Sequence, residues 1–399
     1  MIKLNRKIAA LKPSATLAAD ARAKEMRAAG IDVISLDAGE PDFDTPERIK
    51  EAARKALAEG KTKYTAVSGI PELKNAIRTK LKRDNNLDYD ATEIIVSAGC
   101  KQAEANVINA LFDEGDEVII PTPAWVSFSA MVELAGAKVK YVPCPEDNGF
   151  LLTPDALKAA IGPNTRGIML NSPSNPTGTV YHTGQLTELA KILLEADLWV
   201  MSDDVYEHIS YDGPVPHLFH IEPHLRGKGI VFNSLSKTYA MTGWRVGFAA
   251  GPSEVIGAAG RLQSQNSGNP NSIAQIAAIE ALTGPQDEVK KMAEEFRARR
   301  ELVVERLRKI PGFKLPNTPS GAFYALPNVS GLFGLSYNGK KLTDGDLVAG
   351  FLLEEAKVST VGGNDFNAPN HIRMSYATSR EKLTAAFDRI EQAVKKLGK

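Results

Sequence analysis

The chain holds 399 residues, with 48 Lys or Arg set against 48 Asp or Glu, so its formal net charge is zero. That balance argues against a general nucleic-acid binder and removes the polybasic route to an anionic membrane. Hydrophobic residues make up 43% and charged residues 24%, ordinary globular usage that excludes a disordered chain, and the length leaves room for two or three domains.

The first twenty residues carry scattered charges and no long apolar run, so no signal peptide is expected. Residues 46–59 read as a helix, with Thr45 as N-cap and Pro46 at its first position. Residues 71–82 read as another. Short β-branched runs follow at Glu93–Val96, Glu117–Ile120, Lys138–Val142, Gly167–Leu170, Leu198–Met201 and Ile230–Phe232. Helical patterns at 102–112, 154–161 and 184–195 separate several of them. This is the rhythm of an α/β fold with a mostly parallel, two-sided central sheet.

The last third changes character. It holds a long charged helix over 286–309, short strand-like pieces, a Gly-rich stretch at Gly331–Gly339, and helices at 344–356 and 379–397. The expected division is a large domain over 45–309 and a smaller α+β domain built from 1–44 and 310–399. Two cysteines, Cys100 and Cys144, cannot make a disulfide scaffold, and a reducing cytoplasm is the expected compartment. No run approaches eighteen apolar residues, so no membrane span is expected. Walker A, G-x-G-x-x-G after a strand, H-E-x-x-H and G-x-S-x-G are all missing, and the six histidines are scattered, so no metal site is expected.

Five segments carry chemistry. Lys237 follows the apolar strand Gly229–Phe232 among small hydroxyl residues. An amine needs a dry, cation-flanked site to act as a nucleophile, and Schiff-base chemistry is the expected result. Asp203 ends an apolar strand, and Tyr206 follows three residues later. A carboxylate at the carboxyl end of a parallel strand can hold a ring nitrogen protonated. Asn175 lies between two prolines after a third strand, which suggests an aimed amide. Gly99, Cys100 and Lys101 open a helix after a strand, a place for an anion. Arg373 sits in an apolar strand, where an arginine usually meets an anionic partner.

Together these residues resemble the fold-type-I aminotransferases that depend on pyridoxal 5′-phosphate. The bacterial aspartate and aspartate/prephenate subgroup is the nearest pattern. LKPSAT (11–16), GEPDFDTP (39–46), KYTAVSGIPELK (63–74), NSPSNPTG (171–178), SKTYAMTGWRVG (236–247) and IRMSYATS (372–379) carry the resemblance in family order. It implies that Lys237 binds the cofactor as a Schiff base and shuttles the proton between the substrate α-carbon and the cofactor C4′. Asp203 would pair with the pyridinium nitrogen, and Tyr206 and Asn175 with the phenolate oxygen. Trp125 would stack on the ring. Ser234, Arg245 and the backbone of Gly99, Cys100 and Lys101 would hold the phosphate. Arg373 would bind the substrate α-carboxylate, with Gly39 allowing close backbone approach. Tyr64 would reach the phosphate of a neighbouring subunit, which implies a homodimer.

For substrate, the resemblance implies aspartate or glutamate with 2-oxoglutarate or oxaloacetate, and prephenate as a further acceptor. Lys12, Thr16 and Lys101 would meet the distal carboxylate. The alternatives are an aminotransferase for aromatic or neutral amino acids, or a lyase or synthase on the same fold. A transcription regulator would need an added DNA-binding domain. Five positions depart from the family pattern: Cys100, Glu104, Ala105, Ala124, and Asn367, which stands where glycine is usual. They are expected near the cofactor loops, where they could widen the pocket or alter phosphate-side packing.

Overall fold

The computed structural model describes residue 5, residues 8–9, residue 11 and residues 15–398, with the side chains of 15–20 excepted. Lys12 and the side chain of Thr16 lie outside the described residues. Strand β1 (Ile34–Ser35) comes first. Seven strands then build the main sheet: β2 (Ile94–Ser97), β3 (Glu117–Thr122), β4 (Lys138–Pro143), β5 (Thr165–Asn171), β6 (Trp199–Asp203), β7 (Gly229–Ser234) and β8 (Gly247–Ala250). Their order is β2-β8-β7-β6-β5-β3-β4. The pairs from β7 to β4 are parallel, and β8 runs antiparallel to both its neighbours.

Helices cover both faces, which is why the strands are continuous apolar runs rather than alternating ones. Successive residues of β7 serve two cores. Val231 packs with Leu73, Ile77 and Leu189 on one side. Ile230 and Phe232 pack with Val107, Ile108 and Phe128 on the other.

The remaining strands are short: β9 (Tyr324–Ala325), β10 (Ser336–Tyr337), β11 (Lys340–Lys341), β12 (Val358–Ser359), β13 (Val361–Gly362) and β14 (Ile372–Ser375). They form a three-stranded sheet β13-β14-β9 and two ribbons, one of which pairs β1 with β12. A separate core fills this part. The helix Arg380–Val394 brings Leu383, Ala386, Phe387 and Ile390 to it on one stripe. The helix Asp287–Leu307 adds Phe296, Val303 and Leu307.

One capping expectation is wrong. Thr45 does not cap the helix Glu47–Ala58; Pro46 occupies that place. The Thr45 hydroxyl instead donates to the Ala240 carbonyl at 2.7 Å and accepts from the Trp244 ring N–H at 3.0 Å. The predicted 344–356 helix is α-helical only over Gly345–Phe351. It widens to a π-turn over Leu352–Ala356 and stops at left-handed Lys357. No described helix is long and apolar enough to cross a membrane.

The sheet sets up the site. Asn171, Asp203 and Ser234 are the last residues of β5, β6 and β7. Asn171 lies opposite Asp203 in the ladder, and Ser234 opposite Gly247. Three polar side chains are thereby lined up at the carboxyl edge, where parallel sheets bind ligands.

Candidate active site

Lys237 lies in the single-turn helix Leu235–Thr238 after β7, which Ser234 caps by accepting from the Ser236 N–H at 3.2 Å. Its Nζ donates to the Gly39 carbonyl. Loss of water drives the amine down to about 8, and the Arg373 and Arg245 cations act in the same direction, against Glu40 and Asp203. We expect Lys237 in the cofactor-free protein to react with an aldehyde and borohydride with a midpoint of about 8, because its neutral form dominates above that pH. Labelling mapped by mass spectrometry across pH checks this. A midpoint at the ordinary 10.5 would remove the nucleophile argument.

Asp203 is buried and accepts from the Asn171 amide and from the Val205 N–H, each at 3.2 Å. Burial pushes its carboxyl up to about 7, with Asp204 raising it further and the Val205 N–H and Lys237 opposing. Tyr206 places its hydroxyl 2.9 Å from that of Tyr324. Burial pushes the Tyr206 phenol well up.

Arg373 is 1% exposed. One nitrogen donates to the Asn175 amide oxygen at 3.0 Å and another to the Asp37 carbonyl at 2.9 Å, while Nε has no partner. Its guanidinium lies between the rings of Tyr324 and Phe366, at 4.6 and 5.2 Å from their centroids. Neither partner is an anion, so the charge is free for one.

An anion corner forms where β8 meets the helix Cys100–Leu111. No side chain caps that helix. Gly99 precedes it with φ +91, and a Cβ there would stand 2.3 Å from the Arg245 guanidinium. At Gly247 a Cβ would stand 2.2 Å from the Cys100 nitrogen. Two glycines thus bring backbone and guanidinium together at a helix start, an anion-binding arrangement. Arg245 itself is left-handed and is tethered to the Thr242 and Ala98 carbonyls. Trp125 starts the next helix, with Lys101 Nζ 4.8 Å from its ring centroid.

One cavity of about 280 Å³ collects these groups. Lys237, Asp203, Tyr206, Asn175, Arg373 and Gly39 line it, as do Cys100, Lys101, Trp125, Ser234 and Arg245. Gly99 is not among the lining residues; it precedes Cys100, which is. Tyr64 is outside it, fully exposed at 99%. Asn171 and Tyr324 also line the cavity, and sequence reading assigned neither a role. Asn171 had a signal, since it ends a strand in the same motif as Asn175. Tyr324 had none.

The five departures separate. Cys100 and Glu104 line the cavity. Ala105 packs against the apolar cluster beneath the helix instead. Ala124 backs a neighbouring hollow of about 30 Å³, which shares Asn171 and Asn175 with the main cavity. Asn367 has φ +58, a left-handed position that glycine or asparagine tolerates. This explains the exchange without a functional change.

A pyridine ring carrying a phosphate arm fits this donor set. The uncapped helix start and Arg245 suit the phosphate, and a buried carboxyl suits a ring nitrogen. An amine of lowered basicity lines the same cavity.

The family model described as aminotransferase class I and II matches residues 31–390. The aspartate/prephenate aminotransferase of Cereibacter sphaeroides is 48% identical over 394 residues, 98% of each chain. The aspartate aminotransferase of Geobacillus stearothermophilus is 46% identical, again over 98% of each. Among solved structures, an aspartate aminotransferase from Rhizobium meliloti superposes with a TM-score of 0.96, at 44% identity and over 100% of both chains. One from Thermus thermophilus with maleate gives 0.93 at 43% identity, over 98% of this chain and 100% of that one.

Proposed function

Because the chain belongs to the class I and II aminotransferases, we propose that it moves an amino group between aspartate or glutamate and 2-oxoglutarate or oxaloacetate, with prephenate as a further acceptor. The observation that carries this is the single cavity shared by Lys237, Asp203 and Arg373. The dicarboxylate preference rests on the relatives named for aspartate and on the Thermus enzyme with maleate.

Pyridoxal 5′-phosphate, when bound, supplies the carbonyl carbon that receives the amino group and a ring that absorbs the electrons released at the substrate α-carbon. The chain does the rest. Arg245, Ser234 and the backbone at Gly99–Lys101 hold the phosphate. Asp203 would pair with the protonated ring nitrogen, and Asn175 and Tyr206 would hydrogen-bond the ring oxygen. Trp125 covers one face of the ring. Arg373 clamps the α-carboxylate through its planar fork. Lys237 would hold the cofactor through its amine and would be the base that moves the proton at the substrate α-carbon. Lys101 supplies a cation for the distal carboxylate, joined in this reading by Lys12 and Thr16.

The active unit in this reading is a homodimer. Tyr64 is fully exposed on the single chain; in a dimer it would be free to reach the neighbour's phosphate. Residues 1–44 with 310–399, and 45–309, are read as two bodies, with the cavity drawing on both.

The test is the ultraviolet and visible spectrum of the protein loaded with pyridoxal phosphate, as L-aspartate and then L-glutamate is added without acceptor. Conversion of the cofactor to its amine form is expected with both. A bound cofactor that neither donor converts would overturn the substrate reading, and an amino-acid panel with product analysis would separate aromatic or neutral donors from elimination. A protein that takes up no cofactor would overturn the whole reading.

A further inference from the structure

Glu104 is the one departure that places a carboxyl group in the cavity wall. It lies on the helix Cys100–Leu111 and is 0% exposed, and both carboxyl oxygens lack a hydrogen-bond partner. Its carboxyl, that of Asp203 and the Cys100 thiol lie within 4.8 Å of one another. Two carboxylates this close in a dry site do not both ionise, so the pair keeps a proton.

The donors decide where that proton resides. Asp203 receives N–H groups from Asn171 and Val205 and faces Lys237. Glu104 receives no N–H; the one donor that acts on it is the weak Cys100 thiol, and a buried carboxylate so poorly supplied is strongly disfavoured. The ionisable groups acting on Glu104 are Asp203 from β6 and Lys101 and Cys100 from its own helix; burial dominates and holds the carboxyl far above the usual range. Asp204 and Lys237 act on the Asp203 side. Burial also pushes the Cys100 thiol well up, with Glu104 and Asp203 acting in the same direction.

We infer that Glu104 is a neutral carboxylic acid that gives its proton in a hydrogen bond to Asp203, directly or through one water, so that the pair presents a single negative charge to the ring nitrogen. Glu104 is then a positioning residue acting through Asp203. The inference rests on the reading of Asp203 as the ring-nitrogen partner.

Infrared spectra of the full-length protein near pH 8 test it, with wild type, Glu104→Gln, Glu104→Leu and Asp203→Asn compared in light and heavy water. Wild type should show one protonated-carboxyl band that shifts in heavy water. The band should vanish in both Glu104 variants and change frequency in Asp203→Asn, where its acceptor is altered. Thermal unfolding adds a second readout. A raised carboxyl pKa stabilises the fold below the unfolded value, and that stability fades as pH rises. The advantage of Glu104→Gln over wild type should therefore grow from pH 5 to pH 8. No band in wild type, or parallel melting profiles, would overturn the inference. Borohydride trapping of pyridoxal phosphate on Lys237 in the same samples keeps the two claims apart. A band without trapping overturns the functional reading beneath it; trapping without a band overturns the role of Glu104.

Discussion

Replacing Lys237 with alanine is expected to abolish covalent cofactor attachment and to slow transamination by about 10⁴-fold, the upper range for a positioned acid–base group. Arg373 and its partners do not touch Lys237 through a hydrogen bond, so KM for aspartate should change far less than kcat. Stopped-flow absorbance of the half-reaction and steady-state kinetics check this. A variant that keeps a tenth of the wild-type kcat would remove Lys237 from the proton transfer. Stability should move the other way. The folded amine titrates at about 8 against an ordinary 10.5, so the folded state binds fewer protons in that window and wild type carries a penalty below it. Cofactor-free Lys237→Ala should melt higher than wild type near neutral pH, and the difference should shrink as pH climbs from 8 towards 10.5.

Arg373→Ala should lower kcat/KM for aspartate by about 10²–10³-fold, the scale of truncating one partner of a buried charged pair. The substitution also strips the Asn175 amide oxygen and the Asp37 carbonyl of their donor. Arg373→Lys keeps the charge but loses the fork, so its loss should be smaller and should fall mainly on KM. A second readout is independent of substrate. Arg373 helps to hold the Lys237 amine down, so the labelling midpoint of Lys237 should rise in Arg373→Ala. Unchanged kcat/KM in the alanine variant would take the carboxylate clamp away from this residue.

The site was legible wherever an apolar strand stops abruptly at a polar residue. Asp203, Asn175 and Lys237 follow such strands within a few positions, and their short-range pattern is their structural cause. Tyr324 was illegible because its contact with Tyr206 spans 118 positions. The Asp37 carbonyl, 336 positions from Arg373, was hidden for the same reason. In the fold, β8 escaped notice because Gly247-Phe-Ala-Ala is poor in β-branched residues. The helix Ser272–Thr283 escaped because it is apolar around its circumference and offers no stripe. Glu104 stood out as an oddity of composition, and only its burial beside Asp203 gave the oddity a meaning.

The pairing of β1 with β12 bears on the order in which the protein comes into being. Ile34 lies opposite Val358, and the Leu36 carbonyl accepts from the Ser375 N–H. Chains emerge from the ribosome N-terminus first, and folding units close as they emerge. The seven strands of the main sheet are complete by Ala250, so the strand that carries Asp203 and the strand that leads to Lys237 are made while more than a hundred residues are still to come. Residues 34–37 have left the ribosome long before, yet must wait for partners at 358–375. Arg373 is thus the last of the cavity-lining residues to be made, more than a hundred positions after Lys237.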